Sequence, residues 1–151
     1  MRCEVWLFAL FIGFEWADVV GYARDLVRRT GIEDQYERGA FLVLEKDGLS
    51  MMEWPFERNY RETSWRGPIP RGVAAVIHTH PNEYPRPSTR DRIEARRIGL
   101  PVFVATRARV CVVTPADEVS CVSAKASTQL RSVPATADQR LGPVAQVDPE
   151  R

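Results

Sequence analysis

The chain of 151 residues holds only two histidines and three cysteines, carries almost no charge imbalance, and has no apolar run longer than ten residues. Each shortage excludes something. Cys3, Cys111 and Cys121 are odd in number and show no C-x-x-C spacing, so they offer neither an even disulfide framework nor a cysteine zinc site, and a reducing, cytoplasmic setting is expected. With 21 Lys+Arg against 20 Asp+Glu, no global field draws in a nucleic-acid backbone or an anionic membrane, and no nucleic-acid partner is expected. The longest apolar run, residues 5–14 (VWLFALFIGF), falls well short of the ~20 residues that cross a bilayer. It lies between Glu4 and Glu15 without an A-x-A-like cleavage site, so a buried strand or helix is favoured over a membrane-targeting segment. An apolar content of 44% suffices for one core and rules out a collagen, a coiled coil or a wholly disordered chain.

Over 16–29, Val19, Val20, Ala23, Leu26 and Val27 recur at three- and four-residue steps, which predicts an amphipathic helix ending at Thr30-Gly31. Residues 40–44 (AFLVL) read as a buried strand, with a hairpin turn at Asp47-Gly48. Residues 51–71 mix aromatics, charges and prolines and leave room for at most one edge strand. Residues 73–77 (VAAVI) read as a central strand, apolar on both faces, that leads directly to His78. A helix is predicted over 90–100, stopped by Gly99 and Pro101, and strands over 101–105, 110–114 and 119–122. The order of elements implies an α/β or α+β domain with a mixed sheet flanked by helices. From residue 123 onward no aromatic residue occurs and Ser, Thr, Ala, Gln and proline dominate, so the division is a domain over 1–122 and a disordered tail over 123–151.

Both histidines stand at the end of the central strand, as His78-Thr79-His80. Side chains two apart on a strand share a face, so both imidazoles can reach one ion. Asp91, in the first turn of the next helix, can turn back as a third ligand. Two imidazoles and one carboxylate leave a tetrahedral Zn²⁺ with an open fourth position, the arrangement of a hydrolytic rather than a structural site. Ser88 and Asp91 also have a plainer role, as N-cap and N3 of a helix, and the two roles are compatible.

The stretch HTHPNEYPRPSTRD, residues 78–91, resembles the signature of the JAMM, or JAB/MPN+, metalloproteases: His-x-His, seven residues, Ser, two residues, Asp. Ala95, Gly99-Leu100-Pro101 and the run VFVA look like the helix end and next strand of bacterial JAB domains, and the likeness covers roughly residues 15–122. It implies the JAB/MPN, cytidine-deaminase-like architecture, Zn²⁺ as cofactor on His78, His80 and Asp91, and an upstream Glu as general base for a zinc-bound water. Glu37, 41 residues before His78 and just ahead of the apolar run, fits that role best. Glu45 and Glu33 are the rivals, and Gly39 follows Glu37 one residue sooner than the family's glycine does. The Ser88 hydroxyl would help stabilise the oxyanion.

The resemblance further implies an isopeptidase or peptidase that cuts the amide bond after the C-terminal glycine of a ubiquitin-like protein or its conjugate, with E1- or E2-like conjugation enzymes as further partners. The stretch 54–66 (WPFERNYRETSWR) would wall an extended peptide with Trp54, Tyr60 and Trp65 and donate from Arg58, Arg61 and Arg66, or else pack its aromatics into the core. Two alternatives stand beside this reading: a non-enzymatic MPN scaffold, and a RadC-like or effector-associated JAB domain with another substrate.

Overall fold

The computed structural model describes residues 15–30, 36–56, 63–81 and 83–125. The apolar run 5–14, Glu33, the side chains of Arg58, Tyr60 and Arg61, and the chain from 126 onward lie outside the described residues. Helix α1 (Trp16–Thr30) buries Trp16, Val19, Val20, Ala23 and Leu26, the stripe that the three- and four-residue spacing predicts. Asp18 in its first turn and Arg28 and Arg29 in its last oppose the helix dipole, and Thr30 Oγ1 donates to the Leu26 carbonyl at its end.

Six strands form one sheet in the order β2-β1-β3-β4-β5-β6. β1 (Gly39–Glu45) and β2 (Gly48–Glu53) make the hairpin expected at Asp47-Gly48, where Gly48 adopts φ 129°, a conformation that residues with side chains rarely adopt. β2 is the single edge strand anticipated among the loops, starting earlier than the mixed stretch suggested. β3 (Val73–Thr79) lies at the centre, antiparallel to β1 and parallel to β4 (Val102–Ala105). Helix α2 (Thr89–Ile98) makes the crossover that such a parallel pair requires. β5 (Arg109–Val113) and β6 (Val119–Ser123) complete an antiparallel meander.

The pleat sorts the core into two layers. Ala75 and Ile77 of β3, with Ala40, Leu42, Phe103 and Val112, face α1. Val76, with Phe41, Val102, Cys111 and Val113, faces Ala95 and Ile98 of α2. The result is a mixed α+β sheet covered on both faces, which accounts for the unbroken apolar strands 73–77 and 102–105.

One expectation from composition is corrected here: Cys111 and Cys121 are joined by a disulfide. They are direct cross-strand partners of β5 and β6, and their Cα atoms lie 4.0 Å apart, so the hairpin register itself brings the thiols together. The odd count of three hid a pair, and the argument for a reducing compartment loses its ground. Among the described residues no helix is long and apolar enough to cross a membrane. The folded region also reaches slightly past residue 122: β6 ends at Ser123, and the buried Ala124 donates its N–H to the Ala108 carbonyl at 2.9 Å.

Candidate metal centre

The site forms at the C-terminal end of β3, where the parallel β3–β4 pair opens and α2 begins. Alternation along β3 turns Ile77 toward α1 and His78 toward the α2 side. His80 follows on the same side one pleat later, its backbone N–H held by the Ala105 carbonyl at 3.0 Å. Antiparallel pairing sets Gly39 opposite His78. One residue earlier, Arg38 exchanges two hydrogen bonds with Thr79: its N–H donates to Thr79 Oγ1 at 2.9 Å, and its carbonyl accepts the Thr79 N–H at 2.9 Å. Glu37, two residues before Gly39, therefore projects from the same face as the histidines.

Gly39 itself is required by packing. A Cβ there would collide with the ring of Trp54 and the methyl of Thr63. Trp54 and Trp65 lie with ring centroids 5.2 and 5.0 Å from that of Phe41, so of the two readings of the aromatic stretch the described tryptophans follow the core-packing one.

Asp91 arrives from the other side. Ser88 is the N-cap of α2: its Oγ accepts the Asp91 N–H at 3.2 Å, while Asp91 Oδ2 accepts from the Ser88 N–H at 2.7 Å and from its hydroxyl at 2.8 Å. The motif is a full capping box. The remaining oxygen, Oδ1, lies 2.7 Å from His78 Nε2, and Oδ2 lies 3.6 Å from His80 Nε2. Glu37 Oε2 is 3.7 Å from the other ring nitrogen of His78, Nδ1.

His78 is thus set between two carboxylates. Burial opposes its charge, but Asp91 against Nε2 and Glu37 beside Nδ1 outweigh it, and the imidazole is pushed up from 6.5 to about 10. Burial likewise opposes ionisation of Asp91, yet the His78 charge, its hydrogen bond and the Ser88 N–H hold the carboxyl well below the usual range. His80 moves the other way: burial, then the charge of His78, push it down. Its Nδ1 sits 2.8 Å from the Tyr84 carbonyl, an acceptor, so Nδ1 carries the hydrogen and Nε2 keeps its lone pair.

These donors suit a divalent cation. Glu37, His78 and His80 each offer a ligand atom, all within 4.8 Å of one another. Zinc lies about 2.0–2.2 Å from nitrogen and oxygen ligands, so the edges of its tetrahedron measure about 3.4 Å. The His78 Nδ1–Glu37 and His80 Nε2–Asp91 separations of 3.7 and 3.6 Å approach that edge, whereas His78 Nε2 and Asp91 Oδ1, 2.7 Å apart, are hydrogen-bonded to each other and too close to be two ligands of one ion as they stand. His78 Nδ1 is also buried without a hydrogen-bond partner, an unsatisfied lone pair or N–H that a cation or a shift of Glu37 would satisfy.

All five residues singled out from the sequence, Glu37, His78, His80, Ser88 and Asp91, meet here. The grouping differs in one respect: the mutually close trio is Glu37, His78 and His80, whereas Asp91 engages His78 and Ser88. The Ser88 hydroxyl is directed at Asp91, so its observed work is to cap and orient. Glu45, exposed at the hairpin end of β1 roughly 20 Å of strand away from Gly39, is too distant to act here. The sequence reading missed the Tyr84 carbonyl, because no side-chain pattern marks a backbone acceptor four residues past a histidine. Neither a protein-family model nor a curated protein matches the chain.

Proposed function

We propose that the chain is a zinc-dependent amide hydrolase of the JAMM type with the JAB/MPN architecture, an isopeptidase or peptidase that cuts after the C-terminal glycine of a ubiquitin-like protein or its conjugate. The observation that supports it most is the grouping of Glu37, His78 and His80, whose ligand atoms lie within 4.8 Å of one another at the open end of β3, with Asp91 against His78 and His80. When bound, zinc supplies Lewis acidity and a lowered water pKa. His80 presents Nε2 with its tautomer fixed by Tyr84, and His78 with a carboxylate of Glu37 or Asp91 would hold the ion beside it. Glu37, whose side chain is 16% exposed, stands at the edge of the cluster, where it takes a proton from the attacking water and returns it to the leaving amine. Ser88 holds Asp91 in place through the capping box.

A second reading has an observation of its own. Because Glu37 is among the mutually close ligand atoms, four protein ligands can close the site and make the ion structural, as a non-enzymatic scaffold would use it. Glu37→Gln separates the two. The hydrolase reading expects zinc retained and chelator-sensitive cleavage of a ubiquitin-like fusion lost; a fall in zinc affinity with no cleavage by the wild type supports the scaffold.

A further inference from the structure

We infer that Glu83 is a positioning residue for the metal ligand His80, an inference that rests on the metal-site reading above. His80 is held at three points: its N–H by the Ala105 carbonyl at 3.0 Å, its carbonyl by the Glu83 N–H at 3.1 Å, and its ring Nδ1 by the Tyr84 carbonyl at 2.8 Å. Two of the three depend on the backbone at Glu83 and its neighbour. Glu83 adopts φ 60°, a left-handed conformation uncommon for a residue with a side chain. With its N–H already on the His80 carbonyl, that conformation turns the chain that follows so that the next carbonyl, that of Tyr84, faces the imidazole.

The Glu83 carboxylate ties this strained turn to the β4–β5 connection. Oε2 accepts the Arg107 backbone N–H at 3.3 Å, and Oε1 lies 3.5 Å from Arg107 Nε. Both side chains are about half exposed, so the ion pair adds little to global stability. Its effect is local and directional. With the carboxylate gone, the left-handed turn loses its anchor, the Tyr84 carbonyl leaves Nδ1, and the imidazole is free to carry its hydrogen on Nε2, where a metal needs the lone pair. Partners of ligating histidines of this kind are worth ~10–100-fold in metal affinity.

The test uses the full chain with three variants. Glu83→Ala removes the carboxylate, Glu83→Gln keeps an acceptor for the Arg107 N–H, and Arg107→Ala removes the guanidinium but leaves that N–H. Long-range ¹H–¹⁵N spectra report the tautomers directly, since the chain has only two histidines. The wild type and Glu83→Gln are expected to hold His80 as the Nδ1–H form, and Glu83→Ala to show a mixture. Zinc affinity, measured by titration, is expected to fall ~10-fold or more in Glu83→Ala, to recover in Glu83→Gln, and to change little in Arg107→Ala. An unaltered His80 tautomer together with unaltered affinity in Glu83→Ala overturns the assignment while leaving the metal site standing. If the wild type binds no zinc, the site reading fails, and the tautomer spectra still decide what Glu83 does. Should Glu83→Ala fold poorly, Glu83→Gly, which tolerates the left-handed turn yet lacks the carboxylate, gives the same comparison.

Discussion

Replacing Asp91 by Asn in zinc-free protein tests the electrostatics of the centre with little change of shape. The amide still offers an oxygen to the Ser88 N–H, so the cap survives, but the negative charge 2.7 Å from His78 Nε2 is gone. The pH window follows from the two shifts. His78, raised from 6.5 to about 10 on folding, contributes stability that is fully present below pH 6.5 and is lost as pH rises through 10. Asp91, lowered from 3.8, contributes stability present above that value and lost as pH falls through its folded value. Between 3.8 and 6.5 the pair is worth most. Removing one partner of a buried pair costs about 3–5 kcal/mol while the other stays charged. Above neutrality the variant's imidazole escapes by giving up its proton, and the cost falls toward the ~1 kcal/mol of a hydrogen bond. Urea unfolding of chelator-treated wild type and Asp91→Asn should therefore differ several-fold more at about pH 5.5 than at about pH 9. Equal differences at the two pH values would refute the ion-pair account.

Other outcomes follow from the same contacts. Ser88→Ala removes the acceptor of the Asp91 N–H and one donor to its carboxylate, and should cost about 1 kcal/mol in urea unfolding and ~10-fold in zinc affinity; unchanged affinity would reduce Ser88 to a helix cap. Cys121→Ser opens a disulfide of sequence separation 10 and should lower stability by about 2–3 kcal/mol under oxidising conditions and by nothing further under reducing ones. A non-reducing mass measurement that finds both thiols free would contradict the pairing. Gly39→Val forces Trp54 off β1 and should lose cleavage and thermal stability together; near-wild-type melting would show that the Trp54 ring moves freely.

The sheet was legible because its strands are buried on both faces. Runs such as 73–77 and 102–105 carry no polar interruption, and glycine or proline punctuates their ends at Gly72, Gly99 and Pro101. The clustering of these side chains was legible because strand alternation needs only the spacing of His78 and His80, and helix capping needs only that of Ser88 and Asp91. What escaped depends on register and on backbone. Cys111 and Cys121 pair because Val113 pairs with Val119 across the β5–β6 turn, a register that the two strands fix only once the hairpin is assembled. The need for Gly39 arises from Trp54, fifteen residues away and one strand over. The Arg38 contact with Glu53, at 2.8 Å, joins the residue just ahead of β1 to the edge strand in a way charge patterning alone does not reveal.

The proposed function requires that two imidazoles and a carboxylate oxygen hold one divalent ion. X-ray absorption at the zinc edge of the protein loaded with one equivalent tests it most directly. The account predicts one ion per chain with a shell of only nitrogen and oxygen at ~2.0–2.2 Å and the outer scattering of two imidazoles. Failure to retain an equivalent of zinc, sulfur in the shell, or one imidazole or none would contradict it.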